Sequence, residues 1–118
     1  MSFDKRMLDL AAEVAVDDRS SLDNRTFFLG AVGERRDGVL VTARNIAATD
    51  IAPSHHAEAR VVRKLTPHST VWVARVAKGT GEWAMSRPCG GCQRRMKASG
   101  VKRVVYTINP NEWGVIQF

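Results

Sequence analysis

Several features that mark specialised protein classes are scarce in this sequence. Its 118 residues include only two cysteines, Cys89 and Cys92, and this excludes a scaffold stapled by disulfides. No window approaches the roughly eighteen apolar residues of a membrane span. The stretch that follows Met1 has mixed charge and lacks the continuous apolar core of a signal peptide. We therefore expect a cytoplasmic protein with no membrane partner.

Internal repeats, low-complexity stretches and Pro/Gly-rich linkers are also missing. The composition, with 44% hydrophobic and 25% charged residues, is that of an ordinary globular protein. A chain of this length has the size of one domain with one core. We predict a single domain over residues 1–118.

Acidic residues are scarce in the second part of the chain. Residues 55–118 carry 11 basic and 3 acidic side chains, whereas residues 1–54 carry 7 basic and 9 acidic ones. A basic half attracts phosphate, whether on a nucleotide or on a nucleic acid. A solvated basic face without a ligand explains the same charge, and the dense basic group at 94–103 does not fall on one helix face.

The spacing of apolar residues predicts alternating helices and strands. Apolar side chains recur every three or four positions over 3–16, which is typical of an amphipathic helix. Further helices are predicted at about 57–65 and from Pro88-Cys89 to Ser99-Gly100. Strands are predicted at 27–32, 39–43, 71–76 and 101–108, with a short fifth at 113–118. The resulting order, α-β-β-α-β-α-β, indicates an α/β fold with two β-α-β crossovers.

Two short motifs carry the chemistry. His56-Ala57-Glu58 opens the second predicted helix, and Pro88-Cys89-Gly90-Gly91-Cys92 opens the third. Cysteines at i and i+3 can place both sulfurs on one side of a first helical turn, where the helix favours the metal-binding thiolate. With His56 as a third ligand, a water completes an open, catalytic zinc site, whereas a structural site needs four protein ligands.

Glu58 is assigned to proton transfer rather than to metal binding. Zinc lowers the pKa of its bound water to about 7, and a nearby carboxylate can move that proton to a substrate nitrogen. The neighbouring His55 has no glutamate two residues later, so His56 is the predicted ligand. The combined pattern is the signature of zinc nucleobase deaminases. A thioredoxin-like redox pair at Cys89 and Cys92 is the alternative, which the His-x-Glu motif disfavours.

These motifs resemble those of the zinc-dependent cytidine and deoxycytidylate deaminase superfamily, which also includes tRNA adenosine deaminases. The resemblance runs from about Phe27 to Ile108, and it implies Zn²⁺ held by His56, Cys89 and Cys92. A glutamate at the position of Glu58 shuttles protons in such proteins. The resemblance further implies a cytidine deaminase-like, three-layer α/β/α sandwich with a mixed sheet of four to five strands. A homo-oligomer is expected because small members commonly complete their pocket with a neighbouring subunit.

Asn45 is the candidate contact to a substrate sugar. It lies eleven residues before His56 and resembles the family asparagine that hydrogen-bonds the sugar. A turn-forming asparagine is the alternative. Ala47 stands where free-nucleoside cytidine deaminases have a sugar-binding glutamate, and His56 stands where they usually have cysteine. In its histidine, the chain is similar to deoxycytidylate and tRNA adenosine deaminases.

Three further residues are candidate substrate contacts: Ala31, Ala57 and Trp83. Ala31 lies in a segment, 29–32, that resembles the family strand lining the base pocket, with ordinary core as the alternative. Trp83, together with Met85 and Ser86, precedes the cysteine motif and could line the pocket. Aromatic and methionine side chains are more often part of the core.

The activity implied by the resemblance is hydrolytic deamination of a cytosine base to uracil, with release of ammonia. The favoured substrate is a small molecule, namely cytidine, deoxycytidine or dCMP. A deaminase of adenine or cytosine in RNA or DNA is the alternative, but a flipped base costs a few kcal/mol and the chain has little surface to offset that cost. A non-catalytic, zinc-containing binding domain is disfavoured because it has no need of Glu58.

Overall fold

The elements of the fold come from a computed structural model, which describes residues 2–16, 27–35, 37–44, 69–77 and 79–118. In chain order they are α1 (Phe3–Val16), β1 (Phe27–Glu34), β2 (Leu40–Arg44), β3 (Thr70–Ala77), β4 (Trp83–Ala84), α2 (Gly90–Ala98), β5 (Arg103–Asn109) and β6 (Glu112–Gln117). Both described helices and the five predicted strands are confirmed, with small shifts at their ends. The helix predicted at 57–65 lies outside the described residues. Within the described ranges, no helix is long and apolar enough to cross a membrane.

One mixed sheet forms the centre of the fold. Its strands lie in the order β2-β1-β3-β5-β6, and β4 pairs with β3 off this path. β1 runs antiparallel to β2 and β3, β3 runs parallel to β5, and β5 and β6 form an antiparallel hairpin. The parallel pair brackets α2, as expected for a β-α-β crossover. The other predicted crossover runs through residues 45–68, which the structure does not describe.

The sheet contains one strand more than the four to five expected, because the two-residue β4 was not predicted. β4 turns back from β3 through Gly79 and Gly81, whose φ angles of 94° and 71° suit glycine. It pairs with Arg75 and Val76, next to the carboxyl end of β3. This short hairpin returns the chain to the sheet just before the cysteine motif.

The two described helices cover opposite faces of the sheet. On one face, α1 packs its buried side chains against the central strands; this cluster contains Met7, Leu8, Ala11, Val32, Trp72, Ala74 and Val105. On the other face, α2 packs into a cluster of Ala31, Ala43, Val71, Val73, Cys92, Met96, Val101, Val104 and Tyr106. Neighbouring residues of β3 alternate between the two clusters, as the period of a strand requires. The predicted three-layer α/β/α sandwich is confirmed.

Helix α1 lies against β1 at very short range because Gly30 has no side chain. A Cβ at Gly30 would stand 2.2 Å from the carbonyl oxygen of Ala11 and 2.6 Å from the backbone nitrogen of Ala15. This is well inside van der Waals contact, so no larger residue fits without moving the helix. Gly30 therefore faces α1, whereas its neighbour Ala31 faces α2.

The first turn of α1 is held by Asp4. Arg103 donates to both carboxylate oxygens, at 3.1 and 2.8 Å, and Trp72 Nε1 donates to Oδ1 at 2.9 Å. The hydrogen bond from Arg103 lowers the pKa of Asp4 below its usual range, against the opposing effect of burial. These contacts join the start of the chain to β3 and β5.

Candidate functional site

The cysteine motif forms the N-terminal turn of α2. Cys89 is the N-cap residue with extended backbone angles, and its Sγ accepts a hydrogen bond from Cys92 N at 3.4 Å. Gln93 N donates to the Cys89 carbonyl at 2.9 Å, and Gln93 Nε2 donates to the Pro88 carbonyl at 2.8 Å. The side chain that follows the motif therefore bonds back to the residue that precedes it, which fixes the entry into the helix.

The two sulfurs differ in exposure. Cys92 is fully buried in the cluster beneath α2, whereas Cys89 is exposed. Gly91 lies between them, and a Cβ there would stand 4.0 Å from Cys89 Sγ. A side chain at position 91 would therefore come into van der Waals contact with the Cys89 sulfur. One sulfur is thus fixed by packing, while the other can be approached from outside.

The surroundings of the motif are strongly basic. Residues 83–111 contain six arginine or lysine residues and no acidic residue. Arg87, Arg94 and Arg95 are exposed around the cysteine turn. The Arg94 guanidinium lies over the glycines, with one nitrogen 3.4 Å from the position of a Cβ at Gly90. This charge favours the approach of anionic groups to the turn.

A pair of buried hydroxyl groups holds the segment that leads into the motif. Ser86 is 5% exposed and Thr107 is fully buried, and their hydroxyl oxygens lie 2.8 Å apart. Ser86 comes three residues before Cys89. Sequence reasoning considered Ser86 only as a pocket residue and missed Thr107. The signal for Thr107 was a threonine inside the largely apolar run 104–108.

The structure brings Ala31 and Cys92 into the same layer and places Trp83 elsewhere. Ala31 lies in the cluster beneath α2, together with Cys92. Trp83 packs with the α1 clusters, its ring meets Trp113 edge to face at 6.4 Å, and Lys5 Nζ lies 5.8 Å above it. The sheet therefore separates Trp83 from Cys92.

The remaining predicted site residues, His56, Glu58, Asn45 and Ala57, lie outside the described residues. His55, Ala47 and His68 also lie there. Among the residues that the structure does describe, no group of three or more histidine, cysteine or acidic side chains lies together. The two cysteines are thus the described part of the predicted ligand set.

The described cysteines fit a zinc ion. Thiolate sulfur is a preferred zinc ligand, and both sulfurs belong to the first turn of one helix. The backbone N–H of Cys92 donates to Cys89 Sγ, which orients that sulfur at the start of the helix. Cys89 is exposed, so its sulfur is accessible to a metal ion.

Comparisons with known proteins agree with this arrangement. The family described as the cytidine and deoxycytidylate deaminase zinc-binding region matches residues 1–108. No curated protein matches the chain.

Solved structures of cytidine deaminases share the fold. The one from Burkholderia pseudomallei is 18% identical with a TM-score of 0.70, and the match covers 99% of this chain and 93% of that one. The one from Mycobacterium leprae is 19% identical with a TM-score of 0.59, covering 98% and 94%. The one from Mycobacterium tuberculosis is 20% identical with a TM-score of 0.58, covering 93% and 92%. At these identities the likeness establishes the α/β fold.

Proposed function

This chain belongs to the cytidine and deoxycytidylate deaminase family, and from that premise we propose that it is a zinc-dependent hydrolytic deaminase of cytosine in a free nucleoside or nucleotide. The observation that carries the proposal is the cysteine pair at the N-terminus of α2, within a chain whose residues 1–108 match a zinc-binding family. The 118 residues act as one catalytic domain.

The proposed ligands are His56, Cys89 and Cys92, which leave a fourth position open for water. When bound, zinc would act as a Lewis acid that lowers the pKa of that water to about 7. The water would add its oxygen to C4 of the cytosine as the bond from C4 to the amino nitrogen breaks, and Glu58 would carry the water's proton to that nitrogen, which leaves as ammonia. Asn45 is proposed to hold the sugar, and Ala31 and Ala57 to line the base pocket.

A small substrate is favoured over a polymer. The basic residues around the cysteine turn can attract one phosphate group as readily as many. The most basic part of the described chain, residues 83–111, is largely occupied by α2 and β5 rather than by long surface loops. We therefore propose dCMP, deoxycytidine or cytidine as substrate, in a cytoplasmic enzyme that works as a homo-oligomer.

A substrate panel tests the proposal. Ammonia release is measured on cytidine, deoxycytidine, dCMP, single-stranded DNA and tRNA at two salt concentrations. We expect turnover of a free cytosine compound with a shallow salt dependence, because a nucleotide carries few phosphates. Fast deamination of a polymer that collapses at high salt, without turnover of the free compounds, would support the nucleic-acid alternative instead.

A further inference from the structure

The two buried hydroxyls of Ser86 and Thr107 lie at the point where β3 and β5 separate. Ladder pairing between these parallel strands ends at Val73 and Tyr106. Beyond that pair, β4 takes the place of β5 along the same edge of β3, starting at Arg75. Such a gap between parallel strands leaves backbone groups that need other partners.

Ser86 supplies bonds across this gap. Its Oγ donates to the Val73 carbonyl at 2.9 Å and accepts from Thr107 N at 2.8 Å. Its backbone N–H donates to the Thr107 carbonyl at 2.9 Å. Ser86 is thereby tied to both strands by its side chain and its main chain, and only Arg87 and Pro88 separate it from Cys89.

Thr107 completes the arrangement from β5. Its Oγ1 donates to the Ala84 carbonyl at 2.7 Å and accepts from Arg75 N at 3.2 Å. Each hydroxyl has one proton and two lone pairs. The Val73 and Ala84 carbonyls, the N–H groups of Thr107 and Arg75, and the contact between the two hydroxyls restrict the orientation of both side chains. The segment from β4 to the cysteine turn is thus held by hydrogen bonds at Ala84 and at Ser86.

The two cysteines depend on this segment to different degrees. Cys92 is enclosed in the core beneath α2, and its neighbours there hold its sulfur in place. Cys89 is exposed at the N-cap, where its position follows from the chain that enters the helix. An error of position in the segment would therefore displace one sulfur relative to the other.

We propose that Ser86 and Thr107 are positioning residues that set the spacing of Cys89 and Cys92 for zinc. The proposal rests on the proposed function, since it assigns the cysteines to the metal. Mutation of the outer-shell residues that orient the ligands of a metal site commonly lowers metal affinity or activity by about 10- to 100-fold. Hydroxyls that served only sheet stability would leave the zinc affinity of the folded protein unchanged.

Zinc affinity of the full chain tests the proposal. Zn²⁺ is titrated in competition with a chromophoric chelator, at a temperature where near-ultraviolet circular dichroism shows every variant folded. We expect Ser86→Ala and Thr107→Val to bind zinc about 10- to 100-fold more weakly. Thr107→Ser keeps the hydroxyl and should restore affinity.

Ser69→Ala is the matched control. Ser69 is 1% exposed and precedes β3, roughly 20 Å along the strand from Arg75 at about 3.3 Å per residue. This variant also loses a buried hydroxyl, and it should keep the zinc affinity of the unmodified chain.

Each outcome decides between the two proposals. Zinc affinity unchanged in Ser86→Ala and Thr107→Val, or equally reduced in Ser69→Ala, overturns the positioning role and leaves the proposed function standing. An unmodified chain that binds no zinc overturns both. If Thr107→Val does not fold, Ser86→Ala decides the matter.

Discussion

The two faces of the sheet use their polar groups in different ways. On the α1 face, the Asp4 carboxylate accepts hydrogen bonds from Arg103 and Trp72, which belong to strands of the sheet. On the α2 face, Cys89 is exposed among exposed basic side chains. Helix α1 is thus hydrogen-bonded to the sheet through Asp4, whereas α2 exposes the Cys89 sulfur at its N-terminus. Substitutions on the two sides should therefore separate stability from activity.

The largest effect is expected for Glu58→Gln, which removes the proposed proton carrier. Glutamine keeps size and polarity but cannot exchange a proton at neutral pH, and loss of a general acid–base group typically costs about 10²- to 10⁴-fold in rate. We expect kcat to fall by that factor while zinc content and thermal stability stay unchanged. Steady-state kinetics and elemental analysis measure these quantities.

Glu13→Gln provides the control, because Glu13 is exposed on α1. It should leave kcat unaffected. Turnover near normal in Glu58→Gln would show that another group moves the proton.

Gly30→Ala should disrupt the packing of α1 against β1 and so destabilise the protein. The new Cβ would overlap backbone atoms of Ala11 and Ala15, which cannot rotate away as a side chain can. Overpacking usually costs 1–3 kcal/mol and occasionally more, and we expect a loss of about 3 kcal/mol in the free energy of unfolding. Urea denaturation measures the loss. Activity per folded molecule should be retained, and a variant as stable as the unmodified chain would refute the close approach of α1.

Asp4→Asn should have the next largest effect on stability. The carboxylate accepts charge-assisted bonds, and its removal should cost about 1–3 kcal/mol at neutral pH. Folding lowers the pKa of Asp4 from its ordinary 3.8. The stabilisation is therefore complete above that value and is lost as the pH falls through the lowered pKa of the folded state. Asp4→Asn should remove this acid-dependent loss, as thermal melts between neutral and acidic pH would show.

The exposed pair of Lys5 and Asp9 is the control for this prediction. Their atoms approach to 3.3 Å, but both side chains are about half exposed. Exposed ion pairs contribute about 0.2–1 kcal/mol, so Asp9→Asn should change stability by no more than that. An equal loss in both variants would argue against a special role for Asp4.

Local patterns predicted the elements well, because their causes are local. The apolar spacing over 3–16 set the bounds of α1, and the strands predicted at 27–32 and 39–43 flank a turn in which Gly38 has a φ of 86°. The same holds for α2, which begins at Gly90 with Cys89 as its N-cap, close to the predicted start at Pro88-Cys89. Each of these depends on residues within a few positions of one another.

Features that depend on strand register were not predictable. The two-residue β4 is too short to show a period in the spacing of its apolar residues. It pairs with β3 beyond the point where the pairing of β3 with β5 ends, and this depends on the register of the sheet. The hydroxyl pair joins Ser86 to Thr107 across 21 positions. Trp83 was grouped with the cysteine motif because they are close in sequence, yet the sheet places its ring on the α1 side. The roles of His56, Glu58, Asn45 and Ala57 remain predictions.

Zinc content coupled to turnover tests the central claim most directly. The protein is dialysed exhaustively, its zinc is measured by elemental analysis, and deamination of dCMP and deoxycytidine is followed before chelation, after chelation and after zinc is restored. We predict one zinc per chain, loss of deamination on chelation and recovery in proportion to the zinc returned. A metal-free preparation with full deaminase activity would contradict the account.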